Sequence, residues 1–171
     1  MNNDTIMDAV WPLISNTEVI AVNQAWAGHA GSVFKASDDT LTLGPIDHAA
    51  VSRDARAAAR DDAALAAAVG PATAPAWQYL YKPLAADGSR VAVLLMNAGD
   101  DAADLALDFS DVPGLACATS GSSCAVRDLW DHEDRGEFDA AAGYVAAAVA
   151  SHDAAFLLLT TAGGGAGAVV A

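Results

Sequence analysis

Basic residues are scarce in this chain: only 8 of its 171 residues are Lys or Arg, against 22 Asp or Glu, for a formal net charge of −14. Phosphate backbones are gripped by clustered Lys and Arg, so this balance argues against nucleic acid as a partner. It argues equally against docking on anionic membranes. A neutral ligand such as a sugar is not penalised by this field, and the acid excess otherwise serves solubility. Long apolar runs are also missing, since no stretch reaches the roughly 18–20 residues needed to span a bilayer. No secretory signal stands at Met1: Asn2, Asn3 and Asp4 replace a basic start and no apolar run follows. Two expectations stay open on that point, an intracellular protein or a chain that does not begin where the natural one does.

Large apolar side chains are fewer than the hydrophobic fraction of 54% suggests, because alanine supplies much of it. The expected core is modest, and the length suits one ordinary domain with or without part of a second. Cysteine occurs twice, at Cys117 and Cys124, around the turn-like run Ala118-Thr119-Ser120-Gly121-Ser122-Ser123. Two cysteines closing a tight hairpin suggest a disulfide in an oxidising compartment. On a chain-entropy argument so short a loop adds roughly 2–3 kcal/mol. Two free thiols are the alternative. No His lies near the pair at ligand spacing, so no zinc site is expected. No other metal or cofactor is expected either.

What the chain does contain changes character along its length. Residues 1–31 read as helix. An apolar face over residues 7–14 is broken by Pro12, and Ser15-Asn16-Thr17-Glu18 matches a capping box, with Ser15 as N-cap and Glu18 reaching back. Val19, Ile20, Val22 and Trp26 continue the apolar face until Gly28 and Gly31. So short a piece cannot bury that face alone. From Val33 the pattern becomes that of strands, at residues 33–35 and 41–43. Residues 52–69 are nearly all Ala, Arg and Asp, either a surface helix or a disordered insertion. Residues 70–75 read as a linker-like return. Strand patterns then recur at 77–82, 91–96, 105–109, 125–130, 145–149 and 156–159, separated by turn signals. Leu105, Leu107 and Phe109 alternate with polar or small residues, as do Val145, Ala147 and Val149. This spacing suggests an antiparallel sandwich. The Gly/Ala tail over 162–171 reads as frayed, and no internal repeat is visible.

Several phrases, in order, resemble the glycoside hydrolase family 27 alpha-galactosidases, or melibiases. Asn16-Thr17-Glu18-Val19-Ile20-Ala21-Val22-Asn23-Gln24 resembles the end of that family's catalytic barrel. Tyr81-Lys82-Pro83-Leu84 and the following residues 91–97 resemble the entry to its C-terminal domain. Val126-Arg127-Asp128-Leu129-Trp130, with His132 and residues 136–138, resembles the family's R-D-L-W segment, and Ser151-His152-Asp153 its last hairpin. Two departures stand out. Ala25 occupies a place that is usually Asp, and residues 37–76 are longer and richer in alanine than the usual connection.

The resemblance implies a mainly β chain: an antiparallel Greek-key β-sandwich over 32–161, with an Ala-rich insertion at about 45–76, preceded by a helical remnant of a (β/α)8 barrel over 1–31. It implies an enzyme that releases terminal alpha-linked galactose with retention, using one aspartate as nucleophile and another as acid. Both lie on earlier barrel strands with no counterpart here, so no catalytic residue is carried over and this chain alone is expected to be inactive. The substrate, an alpha-galactoside, would meet the missing barrel, and the full-length enzyme is a possible homodimer. A secreted, vacuolar or lysosomal location is likewise implied.

Other candidates point elsewhere. Asp128, Asp131, His132, Glu133 and Asp134 form the densest polar cluster, which suits a divalent ion or acid/base site but matches no ligand motif. A solvated turn between strands is the plainer expectation. His152-Asp153 stands beside Ser151 without a nucleophile elbow, so a β-turn is expected there rather than a triad. Trp11, Trp26, Trp77 and Trp130 either stack on sugars or are buried or at a domain interface, with interface roles expected for Trp11 and Trp26. Asn3-Asp4-Thr5 is a glycosylation sequon. The alternative to a piece of a glycosidase is a free-standing β-sandwich that binds carbohydrate or another protein.

Overall fold

The computed structural model describes residues 11–12, 14–42 and 73–162. The sequon at Asn3, the start of the helical reading, the alanine-rich run at 52–69 and the tail from 163 lie outside the described residues.

Among the described residues, helix α1 (Thr17–Gln24) precedes ten strands. These are β1 (Ser32–Ala36), β2 (Thr40–Thr42), β3 (Thr73–Pro75), β4 (Trp77–Pro83) and β5 (Arg90–Asn97). Then come β6 (Ala103–Leu107), β7 (Ser123–Asp128), β8 (Glu133–Asp139), β9 (Tyr144–Val149) and β10 (Asp153–Thr161). A six-stranded sheet runs in the order β1-β4-β5-β10-β7-β8, with every pair antiparallel. The ribbon β6-β9 forms the opposing layer, and β2-β3 is a short separate ribbon. After β9 has visited the second layer, the chain returns to insert β10 between β5 and β7, a Greek-key return.

Strand β5 is apolar on both sides: its inner side faces the core and part of its outer side lies under α1. Val91, Val93 and Leu95 turn inward, where Leu157 and Leu159 of β10 meet Leu105 and Leu107 of β6. Ala92 turns outward under α1. Phe109 and Cys117, on single turns of 3-10 helix at Phe109–Asp111 and Ala116–Ala118, close the end of the core. Cys117 and Cys124 form the expected disulfide, both sulfurs sealed in that core and the Cα atoms 5.4 Å apart. It ties the second 3-10 turn to the start of β7.

Several expectations are corrected. Helix α1 ends at Gln24, and Ala25 already has extended backbone, so the helix does not run on to Gly28. Its N-cap is Asn16 rather than Ser15. The Asn16 carboxamide oxygen accepts from the amides of Glu18 and Val19, each at 3.1 Å. Glu18 does not reach back to the cap, because an arginine holds its carboxylate, and Ser15 Oγ donates instead to the Trp11 carbonyl. Residues 73–75, read as linker, are strand β3, paired with Thr40–Thr42. In β9 the inward residues are Ala146 and Val149, and Val145 is 53% exposed. A register shift opposite Ala103–Leu105, with Ala148 at φ 52°, breaks the simple alternation.

Candidate interaction face

The outer face of the large sheet is built from directly opposed residues. Leu80, Leu94 and Phe156 line up across β4, β5 and β10, as do Gln78, Met96 and Ala154. The row Lys82, Ala92, Leu158 and Arg127 crosses four strands. Helix α1 lies over this last row. Val22 packs with Ala92, Leu129 and Leu158, flanked by Val19, Leu84 and Phe156.

Three polar ties fix α1 there. Asn16, buried, caps the helix with its oxygen, and its nitrogen donates to the Leu129 carbonyl at 2.7 Å. Glu18 and Arg127 make a two-pronged pair, Nε to Oε2 at 2.7 Å and Nη2 to Oε1 at 2.8 Å. Such paired charge-assisted bonds are among the strongest side-chain contacts. His132 Nδ1 adds a contact to Oε1 at 2.7 Å, and Arg127 Nη1 donates to Asp134 at 2.9 Å. The Arg127 hydrogen bonds, helped by His132, outweigh burial and lower the Glu18 carboxyl to about 2. Arg127 is in turn held more firmly protonated by Glu18 and then Asp134. At the other end, Lys82 Nζ donates to the carbonyls of Val22 and Asn23 at 2.8 and 2.9 Å. A cation on the last helical carbonyls suits the negative end of the helix dipole.

On and around α1 several large apolar side chains are uncovered among the described residues, interspersed with the exposed Thr17, Asn23 and Gln24. Trp11 is 57% and Trp26 72% exposed, and Ile14, Ile20, Met96 and Trp130 also reach solvent. Two depressions flank the helix. A cleft of about 280 Å³ is lined by Glu18, Gln24, Leu84, Arg90, Leu129 and Leu158, among others. An open groove of about 500 Å³ runs past Val19, Val22, Leu80, Tyr81, Leu94 and Phe156.

The other candidates resolve differently. The cluster at 128–134 divides into two ion-pair sets: His132 and Asp134 join the helix clamp, while Arg135 gathers Asp128, Asp131 and Glu133. Among the described residues no three His, Cys, Asp or Glu are grouped to hold a metal ion. His152 sits on an exposed turn at φ 58°, its Nδ1 2.6 Å from Ser151 Oγ and its Nε2 3.8 Å from an exposed Asp100. Trp77 packs against Tyr79 with centroids 4.7 Å apart, and the Trp130 indole donates to the Ala154 carbonyl. Sequence reasoning missed the clamp itself, since Glu18 and Arg127 lie 109 residues apart. Its only trace is that each belongs to a phrase of the family resemblance. Among the described residues no helix is long and apolar enough to cross a membrane.

A family model described as the alpha galactosidase C-terminal beta sandwich domain matches residues 74–159, just over half of the chain. No curated protein matches it. Among solved structures, alpha-galactosidase I from Mortierella vinacea is similar with a TM-score of 0.56 and 23% identity, over 86% of this chain and 27% of that one. The Saccharomyces cerevisiae alpha-galactosidase with raffinose gives a TM-score of 0.55 and 14% identity, over 88% of this chain and 37% of that one. The Arthrobacter globiformis T6 isomalto-dextranase complexed with panose gives 0.52 and 22%, over 94% of this chain and 20% of that one. At these identities the likeness speaks for the fold. The chain spans well under half the length of each of these structures.

Proposed function

The chain belongs to the family of alpha-galactosidase C-terminal beta-sandwich domains, and from that premise we propose that it is the non-catalytic end of an alpha-galactosidase, bracing a (β/α)8 barrel through its outer sheet face. In this reading the barrel carries both catalytic aspartates and releases terminal alpha-linked galactose with retention. The chain alone is then inactive. The disulfide suits a secreted, vacuolar or lysosomal setting.

The observation that carries the reading is the two-sidedness of α1. Its polar ties all point into the sandwich, through Asn16, Glu18 and the carbonyls of Val22 and Asn23. Its opposite side presents Ile20, with Trp26 just beyond the helix, to solvent. An eight-residue helix is too short to hold itself together. A helix anchored on one side, with Ile20 and the following Trp26 uncovered on the other among exposed Thr17, Asn23 and Gln24, suits a fixed element between two packed bodies, and it accords with the interface role expected for Trp26.

Two measurements test this. Purified chain incubated with p-nitrophenyl alpha-galactoside should show no turnover, and measurable turnover would overturn the assignment of chemistry to a barrel. An antibody raised against residues 77–160 should detect a native band far above 17.2 kDa in source cells. A band at 17.2 kDa would mean that the sandwich acts alone. Calorimetric titration with galactosides would then decide whether it binds sugar.

A further inference from the structure

Five Lys or Arg lie among the described residues, and four have committed side chains. Lys35 pairs with Asp111, Lys82 binds helix carbonyls, Arg127 pairs with Glu18, and Arg135 pairs with Asp128. Arg90 is the exception: among the described residues its guanidinium enters neither an ion pair nor a side-chain hydrogen bond. This is unexpected in a chain with 22 Asp or Glu and a net charge of −14. An uncommitted arginine should find a carboxylate in such a field unless its position keeps the others away.

That position is the cleft of about 280 Å³ between α1 and the sheet. Arg90 begins β5 on the outward side, in the same row as Ala92, Leu94 and Met96. The cleft's floor is Val22, Leu84, Leu129 and Leu158, all apolar. Its other charged wall is Glu18, whose oxygens are already taken by Arg127 and His132. Glu18 therefore neither answers Arg90 nor strongly repels an incoming anion. What remains is a small hollow with an apolar floor, Gln24 on its wall and, among the described residues, one uncommitted fork-shaped donor, which matches a carboxylate in geometry.

We propose that this cleft receives an acidic side chain, its methylenes on the leucine floor and its carboxylate on Arg90, presented by the barrel surface that packs against the outer sheet face. The proposal rests on the bracing role described above, and it names the chemistry at one point of that contact. A glutamate suits the depth, with an apolar stem and two acceptor oxygens for the guanidinium.

The probe is n-butyrate, a free copy of such a side chain, titrated into the 171-residue chain at low ionic strength while the methyl NMR signals of Leu84, Leu129 and Leu158 are followed. Saturable shifts are expected with a dissociation constant on the order of 1–10 mM. n-Butanol and n-butylammonium should give shifts several-fold smaller at equal concentration. Arg90→Gln, checked for an unchanged dispersed spectrum, should weaken butyrate about tenfold. Equal response to butyrate and butanol, indifference to Arg90→Gln, or no saturable shift at all would each overturn the proposal. None of these results bears on whether a barrel exists upstream, which the native band size decides separately.

Discussion

Asn16 does two jobs with one carboxamide. Its oxygen caps α1 and its nitrogen holds the Leu129 carbonyl, so Asn16→Ala removes a cap and leaves a buried acceptor unpaired. The expected cost is about 1–3 kcal/mol in urea unfolding. Glu18 adds a pH signature. Its folded value of about 2 lies below the ordinary 4.5, so it binds protons less readily folded than unfolded. Its contribution to stability is complete above about pH 4.5, declines as the pH falls toward 2, and is absent below that. The Glu18→Gln variant should lose on the order of 1–3 kcal/mol at neutral pH and show a shallower acid limb of urea midpoint against pH. Parallel acid limbs for both proteins would mean that the carboxylate is not held as described. None of this was legible from local sequence. The Ser15–Glu18 pattern offered a capping box, and the box lost because Glu18 gains more from a guanidinium and an imidazole than from one backbone amide.

At the scale of elements, the strands were largely legible, because β5 and β10 bring runs of apolar residues bounded by Gly, Asn or Asp and β4 brings its aromatics on alternate positions. Their pairing was not, because register depends on partners far along the chain. Strand β3 escaped notice since Thr73-Ala74-Pro75 carries turn residues and becomes strand only by pairing with β2. The bulge in β9 escaped for a similar reason. One turn is tightly determined: Gly88 sits at φ 73°, and a Cβ there would lie 1.9 Å from the Gly114 carbonyl oxygen. The same glycine's carbonyl accepts from the Ala116 amide at 2.9 Å, joining the β4–β5 turn to the segment that carries Cys117. Gly88→Ala must therefore both adopt a left-handed backbone and push two loops apart. A loss of at least about 2 kcal/mol is expected, read as a lowered thermal midpoint. An unchanged midpoint would mean that the two turns are not in contact.

Across the whole molecule, stability is distributed unevenly. The sandwich buries Val91, Val93, Leu95, Leu157 and Leu159 completely and carries the disulfide. Helix α1 buries only Val22 and hangs on polar ties. Elements with few buried apolar contacts open locally at a free-energy cost far below that of global unfolding. Native-state hydrogen exchange should therefore show α1 amides exchanging orders of magnitude faster than those of β5 and β10. Arg127→Ala removes the two-pronged bond and leaves Glu18 without its main partner. It should speed exchange in α1 by about tenfold or more while leaving the amides at the β5–β10 pairing unchanged. A uniform rise across helix and sheet would instead make α1 an integral part of the sandwich's folding unit. If the selective response is found, the isolated sandwich needs its helix less than the helix needs the sandwich. That asymmetry is expected of an element whose second support, against Ile20 and Trp26, comes from another body.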